Sequence, residues 1–289
     1  AAWDSRHARL LLMRDPAGEK PLYLAPLGPG TLAFASTVPA LVGCMRRAGA
    51  EVRIDGVGIA MWLKHGSWDR LPLNVLEAQR GGVYVIASAA ETRAPIPRVL
   101  VRPFEPSDGR IAPAEVRRAL EEAVESRLEA DVPLGCFLSG GVDSSVVAAL
   151  AQRSLRERGQ RLRTFHVRMP DADFDEAAYA DLVAQHIGSD HAELPCEASA
   201  ADDLRALIAQ MGLPFGDSSL LPTTWVNRAA RREVAVALGG DGGDELFGGY
   251  DRYRAADLLR AHPVARRALA LLGSVVGPLL RGRAERAAA

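Results

Sequence analysis

The first third of the chain alternates short apolar runs with turn residues. The runs are short enough to be strands, and proline and glycine separate them, as in the turn Arg14–Lys20. The pattern predicts strands at Leu22–Ala25, Leu32–Ala35 and Val83–Ala87, a further apolar run at Leu10–Met13, and a helix around Val57–Lys64. We therefore expect antiparallel β-structure with a little helix over residues 1–92.

A proline-rich stretch separates this part from the rest of the chain. Residues 93–112 contain four prolines between Pro95 and Pro106, and Pro113 follows directly. Because prolines at this spacing oppose regular structure, we predict an extended linker and place the domain boundary there.

Helical periodicity begins after the linker. Val116, Leu120, Val124 and Leu128 recur at every fourth position and predict a helix that ends near Ala130. Predicted strands then follow at Leu134–Leu138, Leu162–Val167, His191–Leu194 and Val234–Leu238, and predicted helices at Ser144–Arg158, Glu176–Ile187, from Ser199 onward and at Pro222–Arg232. This alternation predicts a parallel sheet with helices on both faces.

Composition excludes several classes of protein. The 289 residues are 48% hydrophobic and 25% charged, with 35 basic against 36 acidic residues, which is typical of a globular protein that does not bind nucleic acid. The three cysteines form no CxxC pair, so we expect a reducing, cytoplasmic environment. The beginning of the chain has no secretory signal pattern. The longest apolar stretch, near Ala268–Leu280, is shorter than the roughly 17–25 residues of a membrane span, so we expect no membrane partner.

A glycine-rich loop, Ser139–Ser145, joins the first predicted parallel strand to the next helix. Its two glycines allow a ligand to approach the backbone, and the helix start offers free N–H groups and the positive end of the dipole. With its three serine hydroxyls, the loop is suited to phosphate. The carboxylate of Asp143 indicates a divalent cation beside that phosphate. The alternative is an ordinary helix cap at Asp143 or Ser144.

A second glycine-rich loop, Gly239–Tyr250, follows the strand predicted at Val234–Leu238. It holds six glycines and three acidic residues. Ligands of parallel sheets lie at the carboxyl ends of the strands, so both loops can face one site. Asp143 and Asp244 could then share Mg²⁺ on a polyphosphate, and Asp241 could handle a proton or stabilise a positive charge. An acidic surface loop and a calcium turn are the alternatives.

Together these segments resemble the glutamine-dependent asparagine synthetase family. Ser139–Ser145 is similar to the family's Ser-Gly-Gly-x-Asp-Ser loop. Asp241–Tyr250 is similar to its Ser-Gly-Asp/Glu-Gly-x-Asp-Glu-x-Phe-Gly-Gly-Tyr signature, although Gly239 stands where the family usually has the serine. Pro214–Pro222 resembles its Pro-x-x-Asp-Ser-Ser-x-x-Pro segment. Arg14–Tyr23 and Phe34–Ser36 resemble the end of the family's glutaminase domain.

The resemblance implies a two-domain fold of mixed α+β and α/β class. Residues 1–92 would be the antiparallel, β-rich carboxyl part of an N-terminal-nucleophile glutamine amidotransferase domain. Residues 93–112 would be the linker, and residues 113–289 a truncated ATP-binding synthetase domain with the parallel sheet of adenine-nucleotide-hydrolase-like (PP-loop) proteins. The family's nucleophilic cysteine would lie upstream of Trp3, so we expect an internal fragment that does not hydrolyse glutamine.

The same resemblance implies an amide-ligase reaction. ATP adenylates the β-carboxylate of aspartate, and ammonia derived from glutamine then gives asparagine, AMP and pyrophosphate. The resemblance assigns pyrophosphate binding to Ser139, Gly140, Gly141, Asp143, Ser144 and Ser145, the adenosine pocket to Phe137, Val167, Gly239 and Gly240, Mg²⁺ to Asp143 and Asp244, and catalysis to Asp241. The expected partners are therefore small-molecule substrates, and a homodimer is compatible with the resemblance. An amidotransferase acting on another carboxylate and a non-catalytic nucleotide-binding remnant are the alternatives.

Overall fold

The computed structural model describes residues 1–66, 70–100, 111–168, 176–197 and 199–262. The chain divides into two compact units, the first formed by Ala1–Ile111 with Glu197–Val226 and the second by Ala112–Cys196 with Asn227–Ala289. Half of the predicted linker, residues 101–110, and the apolar stretch Ala268–Leu280 lie outside the described residues. Within the described ranges, no helix has both the length and the apolar character needed to cross a membrane.

Short strands dominate the first part of the chain, and helices dominate the remainder. The strands are β1 (Ala2–Asp4), β2 (Arg9–Met13), β3 (Tyr23–Gly28), β4 (Thr31–Ala35), β5 (Leu76–Glu77), β6 (Gly82–Ile86), β7 (Val99–Leu100), β8 (Leu134–Phe137), β9 (Arg163–Arg168), β10 (Asp190–Pro195) and β11 (Val236–Leu238). The helices are α1 (Val38–Arg47), α2 (Gly56–His65), α3 (Ala89–Arg93), α4 (Pro113–Ser126), α5 (Val142–Glu157), α6 (Ala177–Ile187), α7 (Ala200–Met211), α8 (Leu220–Ala230), α9 (Gly243–Phe247) and α10 (Asp251–Ala261).

Two antiparallel sheets form the β-structure of the first unit. One has the strand order β1-β2-β6-β7 and the other the order β4-β3-β5. Leu12 and Tyr84 of the first sheet and Leu24 of the second belong to one buried cluster, so apolar residues of both sheets share a core. The antiparallel β-structure expected for the beginning of the chain is confirmed.

Ordered structure continues into the segment predicted to be a linker. Val99 pairs with Val83 and Leu100 with Gly82, which adds β7 to the edge of its sheet. Pro95 and the following proline precede this strand, so they remove no N–H group from its ladder. Regular structure therefore extends at least to Leu100, further along the chain than the prolines had led us to predict.

The first unit also contains helices that pack on its sheets. Val38, Leu41 and Met45 recur at helical spacing along α1, are buried, and form a core with residues of β3 and β4. Helix α7, more than a hundred residues later, packs on α1: a Cβ atom at Gly212 would lie 2.8 Å from Pro39 Cγ. The stretch Glu197–Val226 thus has its contacts in the first unit, while the sequence-based domain boundary stays a prediction.

A buried arginine joins two segments of the first unit. The Nη1 group of Arg14 donates to Glu77 Oε1 at 2.7 Å and to the carbonyl of Ala78 at 2.6 Å. Because Arg14→Met leaves both acceptors without this donor, we expect it to lower the free energy of unfolding by about 2 kcal/mol in urea titrations. Arg53→Met is the matched control, since Arg53 is 68% exposed and 3.6 Å from Glu51; its cost should stay within about 0.5 kcal/mol. Equal losses in the two variants would contradict this expectation.

The second unit is built on a parallel sheet, as predicted. Its strand order is β10-β9-β8-β11. β8 comes first along the chain in this unit, and it lies between β9 and β11. Apolar residues of α4, α5 and α6 form a core with β8, in which Cys136 and Leu138 are almost fully buried. The strand order reverses between β8 and β11. In such sheets, ligands bind outside the carboxyl ends of the strands at that reversal.

Candidate functional site

The first glycine-rich loop leaves β8 at this reversal and enters α5. Gly140 has a φ of +82°, which glycine adopts without strain. It also lies directly against the first turn of α6: a Cβ atom here would lie 2.6 Å from the carbonyl carbon of Tyr179 and 2.8 Å from the nitrogen of Ala180. Position 140 therefore accommodates only glycine, and its contact with α6 fixes the path of the loop.

The serine hydroxyls of this loop hold its backbone in place. Ser139 Oγ and Ser144 Oγ lie 3.1 Å apart, and Gly141 N donates to Ser139 Oγ at 3.3 Å. Ser144 Oγ in turn donates to the carbonyl of Gly141 at 3.2 Å. The hydroxyl of Ser145 is buried and has no hydrogen-bond partner among the described residues. Since an unpaired buried hydroxyl is costly, a ligand oxygen is the kind of partner that this position fits.

The second glycine-rich loop contacts the first at Asp143. A Cβ atom at Gly240 would lie 2.8 Å from both Asp143 Cβ and Ser144 N, and one at Gly243 would lie 2.5 Å from Asp143 Oδ2. The carboxylate of Asp143 therefore rests on the backbone of Gly243, where a side chain would displace it. The structure brings the two predicted loops together at the reversal point of the sheet.

The other two predicted acids lie on the second loop. Asp244 is in the first turn of α9, directly after the glycine that Asp143 contacts, and its carboxylate lies against Gly249. Asp241 is exposed, and its Oδ2 atom would lie 3.1 Å from a Cβ atom at Gly239. Asp143 and Asp244 thus belong to contacting loops, whereas Asp241 folds back over the start of its own loop.

The donor set fits Mg²⁺ only together with a phosphate ligand. Among the described residues, no group of three or more histidine, cysteine, aspartate or glutamate side chains is arranged to hold a metal ion. Mg²⁺ is usually bound by one or two carboxylates, with substrate phosphates and water completing its octahedron. The two carboxylates of the contacting loops match that smaller requirement.

The residues predicted to line an adenosine pocket surround the same edge of the sheet. Phe137 is paired in register with Phe165, so by strand alternation Phe137 and Val167 share one face of the sheet. That face is opposite the one on which Cys136 packs in the core. Gly239, followed by the second glycine of its loop, comes directly after β11. The roles of these residues stay predictions.

One interaction of the second loop was missed from the sequence. Tyr250 Oη donates to Glu245 Oε1 at 2.7 Å, and the guanidinium of Arg252 lies 4.0 Å from the centre of the Tyr250 ring. The hydrogen bond lowers the pKa of Glu245 and raises the pKa of Tyr250 to about 12. A spacing of five residues within a loop follows neither helical nor strand periodicity, so no sequence pattern points to this pair.

The buried cysteine beside the site is unsuited to thiolate chemistry. Cys136 is fully buried next to Phe137, and burial raises the pKa of its thiol to about 12. The thiol is therefore protonated at neutral pH, and nucleophilic reactions need the thiolate. Cys136 is a core residue, and the chemistry of the site rests on the two glycine-rich loops.

Two family models and several curated proteins match the chain. The family model for asparagine synthase matches residues 115–288, and the model for a glutamine amidotransferase domain matches residues 1–93. A Mycobacterium tuberculosis relative, provisionally named a glutamine-hydrolysing asparagine synthetase, is 32% identical over 98% of this chain and 44% of its own length. Asparagine synthetase 1 of Bacillus subtilis is 28% identical over 87% of this chain and 39% of its own length. Asparagine synthetase B of Escherichia coli is 27% identical over 86% of this chain and 42% of its own length.

These matches extend over both units, although the chain spans less than half the length of the relatives named. The asparagine synthase model alone covers more than half of the chain, including both glycine-rich loops. The chain therefore belongs to the asparagine synthase family.

Proposed function

We propose that the chain takes part in glutamine-dependent asparagine synthesis and contributes the ATP-binding site for it. The reaction transfers the AMP moiety of ATP to the β-carboxylate of aspartate, which gives an acyl-adenylate and releases pyrophosphate. Glutamine-derived ammonia then displaces AMP to give asparagine. The observation that carries the proposal is the contact of Gly240 and Gly243 with Asp143, which joins the two loops at the carboxyl edge of the sheet.

The first loop would bind the pyrophosphate that leaves during adenylation. A carboxylate oxygen of aspartate attacks the α-phosphorus, and the bond from that phosphorus to the pyrophosphate oxygen breaks. The N–H groups at the start of α5 and the unpaired hydroxyl of Ser145 would donate to the charge that develops on the leaving group. The hydroxyls of Ser139 and Ser144 would exchange their contacts within the loop for phosphate oxygens. The glycines Gly140 and Gly141 let the phosphates approach the backbone.

Asp143 and Asp244 would hold the Mg²⁺ that accompanies the nucleotide. The ion would supply charge neutralisation on the phosphate oxygens. The apolar side chains of Phe137 and Val167, with the backbone of Gly239 and its neighbour Gly240, would receive the adenosine. A pocket lined in this way selects the base by shape and leaves the charged atoms to the loops.

The exposed carboxylate of Asp241 would act in the second half of the reaction. Ammonia gains positive charge as it attacks the acyl-adenylate, and a carboxylate close to the nitrogen can stabilise that charge and accept a proton. Two further assignments stay predictions, namely a cytoplasmic location and a homodimer. The thiols of Cys44 and Cys136, which form no disulfide, support a reducing compartment.

The experiment that tests the proposal is the exchange of labelled pyrophosphate into ATP. We expect the purified chain to catalyse exchange that depends on aspartate and Mg²⁺. Adenylation is reversible, so unlabelled pyrophosphate can leave and labelled pyrophosphate can attack the bound acyl-adenylate, which releases aspartate and forms labelled ATP. Glutamate and succinate serve as acceptor controls. If exchange required glutamate or succinate and did not occur with aspartate, the substrate would be that carboxylate and the proposal of asparagine synthesis would be wrong. Binding of ATP without exchange on any carboxylate would contradict the ligase and favour a non-catalytic nucleotide-binding domain.

A further inference from the structure

The loop that carries Asp244 turns back on itself. Helix α9 ends at Phe247 and is capped by Gly248, which has a φ of +69°. Gly249 N donates to the carbonyl of Asp244 at 3.0 Å. The backbone of Gly249 also lies against the Asp244 carboxylate. This reversal brings Tyr250, the next residue, beside Glu245, which follows Asp244 directly.

Tyr250 is held at both ends of its side chain. Its hydroxyl donates to Glu245 Oε1 at 2.7 Å, and hydrogen bonds to carboxylates are stronger than those between neutral groups. Its ring lies under the Arg252 guanidinium at 4.0 Å and 5.7 Å from the ring of Tyr253. Tyr250 therefore ties α9 to the first turn of α10.

Apolar packing does not hold α9 in place within the described part of the chain. None of its residues is buried, and Leu246 and Phe247 are 61% and 60% exposed. The orientation of Asp244 then depends on the contacts that close the loop. One of these contacts is the hydrogen bond between the side chains of Tyr250 and Glu245, which are the chain neighbours of Gly249 and Asp244.

We propose that Tyr250 and Glu245 are positioning residues whose hydrogen bond closes the second glycine-rich loop and orients Asp244 toward the cation of the nucleotide. The inference rests on the proposed role of Asp244 as a Mg²⁺ ligand. Neither residue needs to touch the nucleotide. Both act through the backbone of the loop that carries the ligand.

The test measures the affinity of the chain for a non-hydrolysable ATP analogue by calorimetry, with and without Mg²⁺. Tyr250→Phe removes only the hydroxyl, and we expect it to weaken Mg²⁺-dependent binding about tenfold, the effect of losing one hydrogen bond to a charged group. Binding without Mg²⁺ should stay unchanged, which a general loss of structure would not produce. Tyr253→Phe, the same change on the neighbouring ring, should leave both affinities unaltered.

A double-mutant cycle separates the hydrogen bond from the charge of Glu245. If the bond orients Asp244, the losses in Tyr250→Phe and Glu245→Ala overlap, and the double variant is no weaker than either single variant. Additive losses, or an unchanged affinity in Tyr250→Phe, would overturn the inference. Asp244→Asn tests the underlying proposal. If Asp244→Asn keeps the full effect of Mg²⁺ on nucleotide affinity, the proposed metal site is wrong. If the Mg²⁺ effect is lost in Asp244→Asn but kept in Tyr250→Phe, only the positioning role is rejected.

Discussion

Asp143→Asn is expected to lower aspartate-dependent pyrophosphate exchange by about 10²–10³-fold, the usual effect of removing one group that stabilises transition-state charge. The change keeps the size of the side chain and removes the charge that would hold the cation beside the phosphates. Asp143 also lies in the first turn of α5, where a negative charge stabilises the helix by only about 0.3–1 kcal/mol. The variant should therefore fold, and circular dichroism should detect at most a small shift in its melting temperature.

Asp257→Asn provides the matched control for this variant. Asp257 lies on α10 in the same unit, and its side chain is 76% exposed, so the same substitution removes a charge without altering the two loops. Exchange in this control should equal that of the unaltered chain. If Asp143→Asn retained full exchange, the carboxylate that rests on Gly243 would have no part in the reaction.

Gly140→Ala is expected to lower the free energy of unfolding by about 3 kcal/mol, because left-handed strain and a steric clash add together. The new methyl group would meet the backbone of α6 at Tyr179 and Ala180, which cannot rotate away as the end of a flexible side chain can. The loop must move or α6 must shift. We therefore also expect nucleotide affinity, measured by calorimetry, to fall at least tenfold as the loop leaves its position.

The chain contains a control for the strain alone. Gly159 has a φ of +71°, similar to that of Gly140, but a Cβ atom there would meet nothing within 4 Å. Gly159→Ala should cost about 1 kcal/mol and leave nucleotide binding unchanged. Equal losses in the two variants would show that the contact between the first loop and α6 has no energetic importance.

The sequence predicted the parts of the fold that depend on local pattern. The runs that became β8 and β9 are short, and a helix with an apolar stripe separates them, so the parallel sheet could be inferred before any contact was known. The contact between the two loops could also be predicted, because both loops follow parallel strands and the carboxyl ends of such strands lie at one edge of the sheet. Helix α1 was missed although Val38, Leu41 and Met45 carry a readable helical spacing.

The remaining features depend on contacts between distant residues. The packing of α7 on α1 joins Gly212 to Pro39, and no property of either segment alone specifies this partner. The Tyr250–Glu245 hydrogen bond requires a particular turn at Gly248, which composition does not determine. The contact of Asp143 with Gly243 could be anticipated as a meeting of loops, but the close approach that excludes a side chain required coordinates.

The strand order also sets a sequence of events during synthesis. β11 pairs with β8 across about a hundred residues, with β9 and β10 made in between, and contacts of such separation form late because the loop must first close. A chain still emerging from the ribosome would present the first glycine-rich loop long before its partner strand exists. The proposed nucleotide site would then be complete only after β11 has added to the sheet, so a bound nucleotide would stabilise the last step of folding rather than the first.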